Sequence, residues 1–129
     1  MTYIYEKLEV WQKAMQFAGK IMDTISETSS IDGYQRILQN LGASSTKIAA
    51  TIAAGKSYSS KHDFARHLYR SRGALYETMT MLDLLRQKQI LAEDKFAEFD
   101  ASANQLVAML TNLVKSIYKP KNTPAQSEK

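Results

Sequence analysis

The chain has 129 residues, a length typical of one domain, and a formal net charge of +4. It contains no cysteine, which excludes disulfide bonds and thiolate metal sites. Its first ten residues are mixed in charge, unlike a signal peptide, and the longest nearly apolar run, Ile48–Gly55, is too short to span a bilayer. We therefore expect a soluble cytoplasmic protein with no membrane partner.

Apolar residues at steps of three and four predict a first helix over about residues 5–26. Trp11 keeps phase with this stripe, so we expect it in the core or an interface rather than as a platform for a nucleic-acid base. The methionines of the helical segments are expected to fill the core in the same way: Met15, Met22, Met79, Met81 and Met109.

The polar stretch "SETSSIDG" predicts a loop, and a second helix follows over about residues 32–54. Small residues surround Gly42 and continue to Ala54, which would let another backbone come close. Gly55 is predicted to lie just past the helix end, where a left-handed conformation favours glycine. Lys56–Ser60 then reads as a short loop.

A third helix is predicted over about residues 61–89, starting with a capping box made by Ser60 and Asp63. Gly73 interrupts this helix, and we expect close packing there. A fourth helix is predicted over about residues 94–118, with Glu93 and Asp94 near its N-terminus. Residues 119–129 are polar, contain both prolines of the chain and are predicted to form a disordered tail.

Four amphipathic helices with short connections predict an all-α fold. Because short links favour antiparallel neighbours, we expect an antiparallel up-down-up-down four-helix bundle over residues 1–118.

The histidines lack the pattern of a bundle metal site. Di-iron bundles use Glu-x-x-His, but Ser59 and Phe64 stand three residues before His62 and His67. The chain also lacks a glycine-rich phosphate loop and a cysteine nucleophile. We therefore expect no metal, no cofactor and no enzymatic activity.

The positive charge is concentrated in one segment. Residues 56–92 hold seven Lys or Arg against three Asp or Glu, a balance of +4 equal to that of the whole chain. His62, Arg66 and Arg70 are spaced by four residues, about one helical turn. They lie on the side of the third helix away from its apolar stripe. The candidate nucleic-acid-binding residues are Lys56, Lys61, His62, Arg66, Arg70 and Arg72.

Two interpretations of this cluster stay open. Tyr58 and Tyr69 lie among the basic residues, as in surfaces that bind RNA or DNA. The alternative is a solvated helix face with salt bridges to Glu77, Asp83 or a neighbouring subunit.

Several segments resemble the 23S rRNA intervening-sequence family. The similarity starts at "YEKLEVWQKA", Tyr5–Ala14, and resumes over Lys47–Glu77. There, "TIAAG", "SKHDF" and "GALYE" resemble the family's end of helix two, start of helix three and Gly-Ser-Leu-x-Glu stretch. Thr51, Ala54 and Ala74 depart from the polar residues usual at those positions, and "ETSSID" replaces the usual Phe-Pro.

The resemblance implies a helical bundle that assembles as a ring-shaped homopentamer, encoded in a bacterial ribosomal RNA insertion or elsewhere in a bacterial genome. The fold is also similar to that of accessory proteins of diversity-generating retroelements, which bind nucleic acid and a reverse transcriptase through a basic surface. The leading hypothesis is therefore a non-enzymatic assembly that binds RNA or DNA as an accessory to a reverse transcriptase or retroelement. The alternative is a homo-oligomeric scaffold or protein-interaction module with no nucleic-acid ligand.

Overall fold

The computed structural model describes residues 2–119, and the regular secondary structure in this range is helical. A short 3-10 helix, Ile4–Lys7, precedes four α-helices: α1 (Glu9–Thr28), α2 (Gln35–Lys56), α3 (Lys61–Gln87) and α4 (Glu93–Tyr118). The predicted all-α fold with four helices is confirmed. Apart from Lys119, the predicted tail lies outside the described residues. Within residues 2–119, no helix combines the length and the apolar composition of a membrane-spanning segment.

The helix boundaries differ from the prediction where the backbone leaves the helical region. α2 begins at Gln35 rather than near residue 32, because Gly33 has a φ of 90° that an α-helix does not allow. α3 ends at Gln87, and Gln89 takes a left-handed φ of 63° before the chain enters α4. Lys56, predicted to open a loop, is the last residue of α2.

The four helices enclose one apolar core. Backbone contacts join α1 to α2 and α4, and likewise join α3 to α2 and α4, whereas α1 and α3 make no close backbone contact within residues 2–119. α1 and α3 are therefore diagonal neighbours. The largest fully buried side chains come from all four helices and include Ile21, Leu41, Ile48, Ile52, Leu68, Leu75, Leu82, Leu106 and Leu110. Burying each one stabilises the fold by about 1.5–3 kcal/mol.

Buried hydroxyl groups connect α2 and α3. The hydroxyl oxygens of Ser44 and Thr78 lie 2.8 Å apart. One turn further along α2, the Ile48 carbonyl accepts a hydrogen bond from the Ser71 hydroxyl of α3, also at 2.8 Å. From the first contact to the second, the residue number rises along α2, from 44 to 48, and falls along α3, from 78 to 71. The two helices are therefore antiparallel where they touch. A shift of α3 along α2 would remove the acceptor of the buried Ser71 hydroxyl, which is costly. Ser44 and Thr78 would keep the carbonyl partners that they also have within their own helices.

Two glycines have roles other than those predicted. Gly55 does not cap α2 in a left-handed conformation; it lies inside the last turn of the helix. A Cβ atom there would lie 2.5 Å from the Cβ of His67, so glycine allows α3 to approach. The close packing predicted at Gly73 is wrong, because a Cβ atom there would meet nothing within 4 Å.

The predicted core position of two methionines of α1 is wrong. Met15 and Met22 were expected in the core, but they are 48% and 57% exposed. Phe17 is buried instead, with its ring edge-on to Phe99 at 5.8 Å between centroids. α1 has apolar residues on two adjacent sides, and the bundle centre takes the side that carries Phe17. Trp11 is partly buried against the core, as expected of a core or interface residue.

The other three methionines that were predicted to fill the core lie against it. Met79, Met81 and Met109 are partly buried and pack against the core.

Replacing Gly55 with Ala tests the helix approach. The clash with His67 should lower the free energy of unfolding by about 1–3 kcal/mol, measured by urea denaturation. The control is Gly73→Ala, where the added methyl group has room. This substitution should raise the free energy of unfolding by about 0.5–1 kcal/mol. Equal effects of the two substitutions would contradict the assigned contact.

Candidate nucleic-acid interface

The first turn of α3 sets the direction of the basic side chains. The Ser60 hydroxyl accepts a hydrogen bond from the Asp63 backbone N–H at 3.3 Å, which is the N-cap half of the predicted capping box. The Asp63 carboxylate accepts from the Arg66 guanidinium at 2.8 Å. Asp63 therefore helps to start the helix and also lies beside the first arginine of the cluster.

His62, Arg66 and Arg70 are all exposed and lie one turn apart on the outer side of α3. We call these three residues the outer ridge. Lys61, the first residue of α3, is exposed beside them. Four of the six candidate residues therefore share one accessible surface.

The other two candidates have intramolecular contacts. Lys56 is half-buried, and its ammonium nitrogen lies 5.2 Å from the centroid of the Phe64 ring. Arg72 donates a hydrogen bond to the Thr111 hydroxyl of α4 at 3.2 Å. Its guanidinium also lies 4.9 Å from the centroid of the Tyr69 ring. Arg72 therefore ties α3 to α4 and does not lie on the outer ridge.

A groove of about 570 Å³ lies on the surface between α2 and α3, next to the outer ridge. Small residues line much of it: Ala50, Ala54, Gly73 and Ala74. Its charged lining residues are Lys47, Arg70 and Glu77. Lys47 was missed by the sequence analysis because it is remote from the basic cluster in the chain. The sequence pattern that could have identified Lys47 is its spacing of four residues from the small residues Ala43 and Thr51. This spacing places the three residues on one side of α2.

His67 has a structural role beneath this surface. It is buried, and its Nδ1 atom lies 2.8 Å from the Asp63 carbonyl oxygen. A carbonyl oxygen can only accept, so Nδ1–H is the donor. The imidazole also packs against the half-exposed Tyr58 ring at 5.0 Å between centroids. His67 therefore fixes the start of α3 while the outer ridge faces solvent.

The basic residues at the other end of α3 are differently placed. Arg86 donates to Asp83 at 3.1 Å and to Glu93 at 3.3 Å. The hydrogen bond that Arg86 donates to the Asp83 carboxylate is the main cause that raises the pKa of Arg86 above its ordinary value. The charge of Asp83 and the hydrogen bond and charge of Glu93 act in the same direction. Arg86 is thus already paired with carboxylates, and the accessible positive charge lies mainly in the first half of α3.

No three His, Asp or Glu side chains within residues 2–119 are grouped so that they could hold a metal ion.

A family model described as 23S rRNA-intervening sequence protein matches residues 6–112. The chain belongs to this family. A search of curated proteins finds no match.

A solved structure shares the fold of this chain. It is a protein of unknown function from the S23 ribosomal protein family of Bacteroides thetaiotaomicron. The two chains are 20% identical, and the TM-score is 0.77. The match covers 82% of this chain and 98% of the other. At this level of identity the likeness concerns the fold alone.

Arg72 has contacts inside the protein and Arg66 is exposed, so their substitutions should change the free energy of unfolding by different amounts. Arg72→Ala removes the bond to Thr111 and the contact with Tyr69, so it should lower the free energy of unfolding by about 1 kcal/mol. Arg66→Ala removes an exposed ion pair and should change it by less than about 0.5 kcal/mol. Urea denaturation of both variants checks this, and a larger loss for Arg66→Ala would reverse the two assignments.

Proposed function

We propose that this member of the 23S rRNA-intervening sequence protein family is a non-enzymatic, cytoplasmic protein that binds RNA or DNA through the outer ridge. The observation that carries the proposal is the exposure of Arg66 and Arg70 on successive turns of one rigid helix. One helical turn rises about 5.4 Å, a spacing that suits neighbouring phosphates of one strand. Lys61 and His62 extend the same surface toward the start of α3.

The ion pair between Arg66 and Asp63 is compatible with phosphate binding. Both side chains are partly exposed, with side-chain exposures of 49% and 34%. Exposed ion pairs of this kind contribute about 0–1 kcal/mol, so a phosphate can replace the carboxylate at little cost. Binding by such contacts releases counterions and therefore weakens steeply as salt is raised.

The proposal includes the antiparallel up-down-up-down topology and assembly as a ring-shaped homopentamer. The opposed contacts between α2 and α3 support the topology. The resemblance to the family suggests the ring, and the exposed Met15 and Met22 supply an apolar surface for subunit contact. Because α1 is diagonal to α3, contact through α1 would leave the outer ridge open. Repeating the ridge in one assembly would strengthen weak phosphate contacts.

A protein partner is part of the proposal on the strength of the resemblance in fold alone. That partner is a reverse transcriptase, which the assembly would hold beside the bound nucleic acid. The second candidate function is a homo-oligomeric scaffold or protein-interaction module without a nucleic-acid ligand. The exposed methionines of α1 favour it, because they suit protein contact rather than phosphate contact.

Charge reversal tests the outer ridge. The double substitution Arg66→Glu and Arg70→Glu should abolish the gel shift of generic RNA and DNA at moderate salt, since two phosphate contacts become repulsive. The matched control is Lys7→Glu with Lys20→Glu, which makes the same charge change at exposed positions on or next to α1. Loss of binding in both variants would show dependence on net charge alone. No binding by the unmodified protein at low salt would favour the scaffold.

Light scattering tests the assembly. The unmodified chain of 14.6 kDa should give a mass near five chains. Met15→Lys with Met22→Lys should lower that mass, because charged side chains would be brought into an apolar contact. The control Leu84→Lys changes an exposed apolar residue of α3 and should leave the mass unchanged. A monomeric unmodified protein would remove the multivalent part of the proposal.

A further inference from the structure

A second groove, of about 650 Å³, lies between α3 and α4 and contains two half-exposed aromatic rings. Tyr69 of α3 is 49% exposed, and Tyr118 at the end of α4 is 52% exposed. Asn112, Lys115 and Lys119 also line the groove. Neither lysine belongs to the basic cluster predicted from the sequence.

The Tyr69 ring is held in place from within the protein. The guanidinium of Arg72 lies 4.9 Å from the ring centroid and donates a hydrogen bond to the Thr111 hydroxyl. These contacts restrict the ring while half of its surface stays accessible. An aromatic ring held in this way can receive a planar ligand with little further loss of side-chain freedom.

The second ring connects the groove to the outer ridge. The Tyr118 hydroxyl lies 3.4 Å from Nδ1 of His62, which is the first residue of the ridge. A strand whose phosphates contact the ridge would therefore have its bases next to the groove. The groove lining contains two lysines and no carboxylate, whereas the groove between α2 and α3 includes Glu77.

We infer that the α3–α4 groove binds unpaired bases, and that the nucleic acid recognised by this protein is single-stranded. The inference rests on the proposed function and specifies its ligand. In a duplex the bases stack on one another, so only an unpaired base can offer a free face to Tyr69 or Tyr118. The Asn112 amide can donate to and accept from the edge of such a base. The groove volume is within the range of sites for small organic ligands.

The test compares single-stranded and double-stranded ligands on the full-length protein. Fluorescence anisotropy is measured with a labelled oligouridine of about 12 nucleotides and with a labelled RNA duplex of the same length. The unmodified protein should bind the single strand more tightly. Tyr69→Leu and Tyr118→Leu, made separately, should each weaken single-strand binding about tenfold or more and leave duplex binding unchanged.

The matched control is Tyr76→Leu. Tyr76 lies on the same helix as Tyr69, is 52% exposed and does not line the groove. This variant should bind the single strand like the unmodified protein. As a second measurement, ultraviolet crosslinking to the oligouridine should mark peptides that contain Tyr69 or Tyr118.

The outcomes separate the inference from the proposed function. Equal binding of single strand and duplex, with normal binding by both groove variants, would overturn the inference and leave charge-driven binding intact. Equal weakening of both ligands by the groove variants would also overturn it, because the rings would then act through the fold. Absence of binding to either ligand at low salt would overturn the proposed function and the inference together.

Discussion

The close approach of α2 and α3 is the constraint on which the surface of this protein depends. Gly55 leaves room for His67, and the hydroxyl contacts at Ser44 and Ser71 hold the same two helices further along. A helix fixed on its inner side by small residues and buried hydrogen bonds presents its outer side in a defined orientation. The outer ridge is accessible for this reason. The helix backbone places its three residues, and the contacts of Arg66 with Asp63 and of His62 with Tyr118 are exposed.

The electrostatic pattern follows from how each basic residue is used. Arg72 holds α3 to α4, and Arg86 is paired with carboxylates at the far end of α3. Arg66 has only an exposed partner, which a phosphate can displace. A cluster that is uniform in sequence is thus divided in space between structural and accessible residues. The division explains why net charge alone would not locate a binding surface.

Much of the fold was predictable because helical periodicity is a local property of the sequence. Periodicity predicts the four helices, and the spacing of Ser60 and Asp63 predicts the cap at the start of α3. The buried side of α1 was not predictable in this way, since apolar residues cover two of its sides and only the neighbouring helices decide between them. The roles of Gly55 and Gly73 also depend on what lies opposite.

The candidate site was predictable to the same extent. The outer ridge follows from residues one turn apart on a single helix. Lys47 belongs to α2, Lys115 belongs to α4, and Lys119 directly follows α4. Only the folded chain brings them to the two grooves beside α3. Because the ridge contributes nothing to the core, its residues can change during evolution without loss of the architecture. Homologues with the same bundle are therefore free to diverge in the molecules they recognise, and shared topology is a poor guide to shared ligands.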